Sequence, residues 1–498
     1  MKILRCLLLL FLWLQTAAAQ GSGSAPMRVS IDIHQTAQTI RNFAASDAWS
    51  CQFVGNWPEQ KKNQLADWLF STDTTANGQP KGIGLSMWRF NIGAGSTRQG
   101  DSSGIKDEWR RAADWEKQAG QLWFLQAAKK RGVPQFLGFL NSPPVQFTSN
   151  GKAFASKGQC NINPDKYTAV ADFLRAVITG VRKITGVTFN YISPVNEPQW
   201  DWSDGGQEGC PYNNEQIYGL TKKISETFTA AKLPTKILIA EAGKINYLYA
   251  KEDKPEKGMQ INAFFDVHSP TYLGHLPAVY HGIAAHSYFT TSPADTAVAI
   301  RKRLAAALNG LEFWQSEYCI LGGNEGEING DKVDTGMDAA LYMAHVIHHD
   351  LTVANAVAWQ WWLAISPYNY KDGLIYIDKN KTDGSYQDTK MLWVLGNYSR
   401  FVRPGAQRVA VKITDGMEKK KVYISAFKNI NHTLNIIIVN SDQTAVDINF
   451  DCAALQSGSI RSYTTSAKES LQPASVSSGR ISIPARAVVT LTGNIQNK

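Results

Sequence analysis

The sequence predicts a (β/α)8 TIM barrel with an appended β-sandwich side domain formed by both chain ends. Between residues 43 and 397, short apolar runs alternate with longer segments of helical spacing, which is typical of parallel βα units. Eight such runs are present, the number that closes a barrel. After residue 398, short runs of alternating apolar and polar residues recur about every ten residues, which is typical of an antiparallel sandwich.

The boundaries of the elements follow from this pattern. The predicted barrel strands are 40–46, 84–92, 135–140, 188–195, 236–242, 282–288, 312–317 and 356–362. The intervening helices include 58–70, 114–131, 165–184, 213–231, 294–309 and 335–352. The alternating segment MRVSIDI at 27–33 has no partner in the period of the barrel, so we expect residues 20–42 to add strands to the sandwich of residues 398–498.

The first 19 residues have the pattern of a signal peptide. Lys2 and Arg5 precede an unbroken apolar run, and Ala17-Ala18-Ala19 provides a small-residue cleavage site. The apolar run is too short to span a bilayer comfortably, and no other segment predicts a transmembrane helix. We therefore expect cleavage after Ala19 and an exported protein that is not inserted in a membrane.

Composition places the chain among ordinary globular proteins, with 44% hydrophobic and 19% charged residues in a length of 498. The 11% aromatic content fits a sugar-binding cleft, but large cores use the same rings. The formal net charge of +9 is dispersed along the sequence. It therefore indicates a solubility feature rather than a site for acidic glycans, and a nucleic-acid partner is not expected because no basic stripe is present.

The cysteines predict no metal centre. Five remain after the signal peptide, and no C-x-x-C pattern occurs among them, so a cysteine-based zinc site is not expected. Cys160 and Cys210 both lie in polar, glycine-containing segments and form the one candidate disulfide, whereas Cys51 and Cys319 resemble small buried apolar residues.

Two carboxylates mark the candidate active site. Glu197, in SPVNEPQW, ends the fourth predicted strand, and Glu317, in EFWQSEYCIL, ends the seventh. Because active sites of such barrels lie at the carboxyl ends of the strands, the two residues are expected to face each other across the mouth. Glycoside hydrolysis needs such a pair, one protonated and one ionised. The alternative is that each Glu caps the barrel or pairs with an arginine.

The wider pattern resembles a known family. PVNEP followed by WQSEYCI resembles clan A glycoside hydrolases, and the set SMWRFNIGAGS, AAHSY, AWQWWLA, NYSRFVRPG and IPARAVVTLT, in that order, resembles glycoside hydrolase family 30. The resemblance covers nearly the whole mature chain. It implies a barrel fused to a β-sandwich built from both chain ends, and a retaining double displacement. Glu197 corresponds to the acid/base and Glu317 to the nucleophile.

Further residues carry over from the same resemblance. Arg89 corresponds to the arginine that keeps the nucleophile ionised, and Asn196 to the asparagine that binds the sugar 2-hydroxyl. Tyr288 corresponds to an aromatic residue close enough to donate a hydrogen bond to Glu317, and His286 is a candidate for orienting it, with a core histidine as the alternative.

Several aromatic and acidic residues are candidates for contact with the sugar. Trp361 corresponds to the tryptophan under the sugar in subsite −1, with Trp359 and Trp362 as weaker candidates. By position alone, the sequence adds Asp47 and Trp49 after the first strand and Gln199, Trp200 and Trp202 after the acid/base. Glu241 ends the fifth strand, and the sequence leaves open whether it touches substrate.

The sequence therefore predicts an exported retaining β-glycosidase that needs no metal or organic cofactor. WRFNIGAGS and the NSPP after the third strand resemble the β-1,6-galactanase branch most, which implies an endo-β-1,6-galactanase acting as a monomer on a polysaccharide. The alternatives within the family are a β-1,6-glucanase, a glucuronoxylanase or an exo-acting β-glycosidase. The alternative outside enzymes is a non-catalytic glycan-binding protein on a hydrolase scaffold.

Overall fold

The structure is a computed structural model, which describes residues 26–94, 118–203, 207–415, 421–451, 455, 460–476 and 479–496. The predicted signal peptide and the start of the helix expected at 114–131 lie outside these residues. The barrel and the β-sandwich domain expected from the sequence are both present. Among the described residues, no helix combines the length and the apolar character needed to cross a membrane.

Eight parallel strands close the barrel. Strand β1 (Met27–Thr39) precedes it and belongs to the C-terminal sheet. The barrel strands are β2 (Asn42–Ser46), β3 (Met87–Asn91), β4 (Gln135–Phe139), β5 (Tyr191–Ser193), β6 (Lys236–Ala242), β7 (Val279–His286), β8 (Glu312–Glu317) and β9 (Ala358–Trp361). They pair in chain order, and β9 closes the ring against β2.

The strand residues divide by the period of two that a pleated strand imposes. Within β6, Leu238 packs in the barrel interior, where it joins a cluster that includes Met87 and Trp314. Its neighbours Ile237 and Ile239 belong to the larger core beneath the helices. Both faces of these strands are buried, which explains why they appear in the sequence as continuous apolar runs.

Ten α-helices are assigned in the described residues. They are α1 (Ser50–Val54), α2 (Glu59–Phe70), α3 (Ala119–Lys130), α4 (Tyr167–Thr185), α5 (Asn214–Ala230), α6 (Asn246–Tyr249), α7 (Gln260–Phe265), α8 (Ala294–Ala307), α9 (Met337–Thr352) and α10 (Lys390–Ser399). Local sequence sets several ends: Gly186 ends α4 in the left-handed region at φ 69°, and Asn213 with Gln216 forms a capping box at the start of α5.

A small sheet that the sequence did not predict follows the barrel. It contains β10 (Ile365–Ser366), β11 (Ile375–Ile377) and β12 (Tyr386–Asp388). Its strands have two or three residues each, too few for an alternating pattern to be recognised in the sequence.

The C-terminal domain is a nine-stranded sheet. Besides β1, its strands are β13 (Gln407–Asp415), β14 (Val422–Lys428), β15 (Thr433–Asn440), β16 (Val446–Asp451), β17 (Arg461–Thr465), β18 (Gln472–Ser475), β19 (Arg480–Ile483) and β20 (Ala487–Asn494). Strand β1 pairs antiparallel with β13 and parallel with β16, so this domain is not antiparallel throughout. Alternation again sorts the side chains: Ile436 and Ile438 form the core of the domain, whereas Ile437 and Val439 join the core of the barrel.

Candidate active site

Glu197 and Glu317 meet at the mouth of the barrel. Glu317 is the last residue of β8, and Glu197 follows the end of β5 in the loop that leads to α5. Both residues are almost completely buried, with 7% and 5% of their surface exposed. One oxygen of each carboxylate and a ring nitrogen of His286 all lie within 4.8 Å of one another. The facing arrangement expected from the spacing of the strands is therefore present.

The backbone of Glu197 is held in an uncommon conformation. Its φ of 43° lies in the left-handed region, which residues other than glycine seldom adopt. The amide of Glu197 donates to the carbonyl oxygen of Glu241 at 2.8 Å, and the indole of Trp202 donates to the Glu197 carbonyl at 3.0 Å. These bonds fix the direction in which the carboxylate leaves the chain. Burial raises the pKa of this carboxyl above its usual value, against the opposing effect of His286.

Glu317 accepts a hydrogen bond at each carboxylate oxygen. Arg89 Nη1 donates to Oε2 at 2.6 Å, and the Tyr288 hydroxyl donates to Oε1 at 3.0 Å. Arg89 is fully buried and also reaches Ser46 and, at 3.5 Å, the side-chain oxygen of Asn196. A guanidinium and a phenol on the two oxygens stabilise the ionised form of the carboxylate. The contacts expected for Arg89 and Tyr288 are thus present.

His286 connects Glu197 to the third carboxylate, Glu241. Its Nδ1 lies 2.9 Å from Glu197 Oε1 and its Nε2 lies 3.1 Å from Glu241 Oε2. The His286 ring also contacts Tyr288 edge to face, with centroids 5.6 Å apart. The expected contact with Tyr288 is present, but the hydrogen bonds of His286 join carboxylates, which the sequence did not predict. Glu241 is completely buried and does not line the cleft.

The two catalytic candidates open into a cleft of about 450 Å³. Its described lining residues are Asn141, Asn196, Glu197, Trp200, Trp202, Gln207, Glu208, Tyr288, Phe289, Glu317, Cys319, Leu321 and Trp362. Trp200 therefore lies where the sequence placed it, whereas Gln199 is buried beneath and accepts from the Gly243 amide. Gly243 leaves room for the Trp200 ring, since a Cβ there would lie 2.5 Å from the indole nitrogen.

The sequence did not identify Asn141, Phe289 or Leu321 as cleft residues. They come from three different βα loops, whose shapes a single sequence does not specify. Asn141 begins the NSPP segment and Phe289 follows Tyr288, and both patterns are also compatible with core packing. Loop residues were therefore found only from their positions in space.

The assignment of Trp361 to the cleft is wrong. Trp361 is fully buried on the outer side of β9, stacks on Trp359 at 6.1 Å, and donates its indole N–H to the Asp372 carbonyl at 2.7 Å. Trp362 lines the cleft instead. Because successive residues of a strand face opposite sides, Trp359 and Trp361 share one face and Trp362 takes the other.

The two candidates after the first strand also do not line the cleft. Asp47 is completely buried and accepts from the Asn91 amide at 2.7 Å and from Gln121 at 3.2 Å, and burial raises its pKa to about 8. Its expected contact with the sugar is therefore wrong. Trp49 packs edge to face against Trp362, with centroids 5.3 Å apart, and so supports the tryptophan of the cleft rather than lining it.

The Glu197, His286 and Glu317 side chains have the spacing of metal ligands, but their chemistry favours an ion-pair network. Arg89 already forms an ion pair with Glu317, and His286 lies within 4 Å of three carboxylates, those of Glu197, Glu241 and Glu317. Each cationic partner lowers the negative charge available to a metal ion.

The four described cysteines are free; Cys51 and Cys319 are buried, and the sulfurs of Cys160 and Cys210 lie 3.7 Å apart. Cys452 lies outside the described residues.

Comparison with known proteins agrees with this geometry. The profile of O-glycosyl hydrolase family 30 matches residues 26–376, and that of the family 30 β-sandwich domain matches residues 405–491. A conserved exported protein of Bacteroides fragilis has a crystal structure that superposes with a TM-score of 0.84 at 32% identity, over 93% of this chain and 99% of that protein.

Two further relatives are more distant. An endo-β-1,6-galactanase of Hypocrea rufa is 24% identical over 409 residues, which are 77% of this chain and 76% of the galactanase. The catalytic domain of a family 30 xylanase C of Talaromyces cellulolyticus shares the fold with a TM-score of 0.69 at 21% identity, over 94% of this chain and 100% of that domain. Since the family profile matches more than half of the chain and the barrel brings two glutamates together at its mouth, the chain belongs to glycoside hydrolase family 30 and is an O-glycosyl hydrolase.

Proposed function

We propose that this O-glycosyl hydrolase is a retaining β-glycosidase and that its substrate is β-1,6-linked galactan, cleaved within the chain. The observation that carries the mechanism is the close approach of the two carboxylates, an oxygen of each lying within 4.8 Å of the other. Retaining glycosidases keep their two carboxyl groups about 5–5.5 Å apart, whereas inverting ones need about 6.5–9.5 Å to admit a water molecule. The short separation supports direct attack by one carboxylate.

The surroundings of the two carboxylates support one role for each. Glu197 is the acid/base because burial raises its pKa, which favours a protonated carboxyl ready to donate. Glu317 is the nucleophile because Arg89 and Tyr288 donate to its two oxygens and stabilise the carboxylate. Asn196 lines the same cleft as both glutamates, which supports a contact with the sugar 2-hydroxyl.

The two steps restore the enzyme. In the first, Glu317 bonds to the anomeric carbon, the bond from this carbon to the glycosidic oxygen breaks, and Glu197 gives its proton to that oxygen. In the second, water bonds to the anomeric carbon and loses a proton to Glu197, while the bond to Glu317 breaks. Two inversions leave the β-configuration, and Glu197 is protonated again.

Two observations support a neutral galactan as the substrate. The curated relative from Hypocrea rufa is an endo-β-1,6-galactanase. Among the described residues that line the cleft, three carry carboxyl groups, Glu197, Glu208 and Glu317, and none is basic, which disfavours the uronic acid of glucuronoxylan. The Trp200, Trp202 and Trp362 rings supply apolar surface for sugar C–H groups. Export after cleavage near Ala19 and action as a monomer are part of the proposal; the former is supported by the exported relative of Bacteroides fragilis.

The test is a product profile of the purified protein on β-1,6-galactan, β-1,6-glucan and glucuronoxylan. Galacto-oligosaccharides from the first substrate alone would support the proposal, and a ladder rather than a single small product would support internal cleavage. Activity on another glycan would overturn the sugar and keep the mechanism. NMR of early products should show the β-anomer, and α-product at early times would contradict retention.

The Glu317→Ala variant separates an enzyme from a glycan-binding protein. It should lose turnover and keep binding, because the nucleophile is removed while the aromatic cleft remains. If wild type and variant behave alike on every glycan, with binding and without hydrolysis, the chain is a binding protein on a hydrolase scaffold.

A further inference from the structure

The third carboxylate of the barrel, Glu241, has a role that the two-glutamate mechanism does not use. Glu241 is the penultimate residue of β6 and is completely buried. Its side chain accepts hydrogen bonds from Ser193 and Ser316, each at 2.5 Å, and lies 3.1 Å from His286 Nε2. Arg89 Nη2 lies 3.5 Å away. Residues of β3, β5, β7 and β8 therefore converge on one carboxylate below the cleft.

These contacts define the state of Glu241 and hence of His286. Burial alone would raise the pKa of Glu241, but the charge of Arg89 and the bond with His286 lower it to about 2, so the group is ionised. A carboxylate can only accept, so Nε2 of His286 must carry a hydrogen. The charged groups that face His286 are Glu197, Glu241 and Glu317. Although burial lowers the pKa of His286, these carboxylates raise it to about 10.

Glu241 also holds the acid/base through the main chain. Its carbonyl oxygen accepts from the Glu197 amide at 2.8 Å, and its own φ of 52° lies in the left-handed region. One residue is thus connected to Glu197 at two points, directly through the backbone and indirectly through the ring of His286. No substrate contact is involved, since Glu241 does not line the cleft.

We propose that Glu241 is a positioning residue for the acid step: it fixes His286 so that Nδ1–H donates to Glu197 Oε1, which leaves Oε2 as the oxygen that carries the proton given to the leaving group. The proposal rests on the proposed function, in which Glu197 is the acid/base. Nδ1 lies 2.9 Å from Oε1, and in this proposal Oε1 accepts the same hydrogen bond in both protonation states of Glu197. Only the proton on Oε2 moves, to the glycosidic oxygen in the first step and back from water in the second.

We expect loss of the charge of Glu241 to lower the pKa of His286, since Glu241 is one of the three carboxylates that raise it, and a ring that loses the proton of Nδ1 becomes an acceptor at that nitrogen. The proton of Glu197 would then lie on Oε1, in the bond to His286, and would be withheld from the substrate. The defect is therefore confined to leaving groups that need a proton. This selectivity distinguishes a positioning role from a general loss of structure, which would affect all substrates alike.

The experiment compares kcat/KM for two aryl glycosides of the sugar that the wild type releases, one with a 2,4-dinitrophenyl and one with a phenyl leaving group. The first needs no proton and the second does. Glu241→Gln should lower kcat/KM at least tenfold more for the phenyl glycoside. Glu312→Gln is the matched control, because Glu312 pairs with Arg41 at the opposite end of the same barrel; it should leave the ratio of the two rates unchanged.

Two substitutions of His286 test the link itself. The amide nitrogen of asparagine takes the place of Nδ1, and that of glutamine the place of Nε2. His286→Asn keeps a donor to Glu197, so its ratio of kcat/KM for the two aryl glycosides should lie nearer to the wild-type ratio than that of His286→Gln. The glutamine variant keeps only the bond to Glu241. By ¹⁵N NMR at pH 7, both ring nitrogens of His286 should be protonated in the wild type and one in Glu241→Gln. This readout requires no turnover.

The outcomes are separable from those of the proposed function. Glu197→Gln, measured in parallel, should show the same selective loss on the phenyl glycoside. If it does and Glu241→Gln has the wild-type ratio, the positioning role of Glu241 is overturned and the mechanism stands. If Glu197→Gln shows no selectivity, Glu197 is not the acid, and both proposals fail.

Discussion

The pair of cysteines Cys160 and Cys210 gives a prediction whose size can be calculated. The sulfurs of Cys160 and Cys210 lie 3.7 Å apart as free thiols, and a disulfide needs about 2.05 Å, so a small rotation of the side chains is required. The bond with Cys210 lowers the pKa of the Cys160 thiol, with a further contribution from the charge of Lys257 and against the effect of burial. Cys160 is therefore the thiol expected to react first.

We expect glutathione disulfide to oxidise this pair. The Cys160 thiolate displaces one glutathione, and the Cys210 thiolate displaces the second, closing the protein disulfide. The two cysteines are 50 residues apart, and the entropy of closing a loop of this size corresponds to about 4 kcal/mol of stability at 25 °C. Urea m-values are about 1–3 kcal/mol per M for small proteins and increase with the surface exposed on unfolding, so for a chain of 498 residues the urea midpoint should rise by a measurable amount below about 1 M.

The assay is urea unfolding of the reduced and oxidised protein, followed by intrinsic fluorescence, with the thiol titre measured on each sample. The Cys160→Ser variant is the control and should not respond to the oxidant at this site. Loss of both thiols without a rise in the midpoint would refute the calculation. Persistence of both thiols under oxidising conditions would refute the geometric argument.

The remaining predictions concern the cleft, the acid and three buried histidines of α9. Trp362→Ala should lower kcat/KM at least about tenfold with little loss of stability, since this ring lines the cleft. Trp361→Ala should instead cost about 3–5 kcal/mol of folding free energy, because this ring is a buried aromatic. Equal effects of the two variants on activity would contradict the placement of Trp362 in the cleft and of Trp361 in the core. Since burial raises the pKa of Glu197 and the first step needs its protonated form, kcat/KM should fall as pH rises through that pKa, above the usual range of a glutamic acid, and a profile with no alkaline limb would contradict the role. Burial lowers the pKa values of His345, His348 and His349 of α9 to about 4, 3 and 4. Below about pH 6.5 the unfolded chain therefore binds more protons than the folded one, and the urea midpoint should fall as the pH drops from 6.5 towards 4. Replacing all three histidines by glutamine should flatten this pH dependence.

Much of the site could be predicted because barrel geometry converts position in the sequence into position in space. Glu317 ends one strand of a closed parallel barrel and Glu197 follows the end of another, so their meeting at one mouth follows from topology. Arg89 lies on β3 and Tyr288 follows the end of β7 by two residues, and their contacts with Glu317 are present. The two-residue period of a strand also predicts which side chains share a face. In AWQWW this alternation places Trp362 on the face opposite to Trp361, and disregarding it led to the choice of Trp361 as the cleft tryptophan.

What the sequence by itself determined is the barrel, the C-terminal sheet with its added first strand, and the pair of carboxylates, because apolar periodicity and strand ends are local properties of the chain. What only the tertiary structure decided are relations between distant loops and buried polar groups. The link from Glu241 through His286 to Glu197 joins three βα units, and Asp47 was placed in the cleft by sequence but is held beneath it by Asn91 and Gln121. A hydrogen bond is satisfied only within about 3 Å, and no local pattern encodes which distant side chain will lie at that distance.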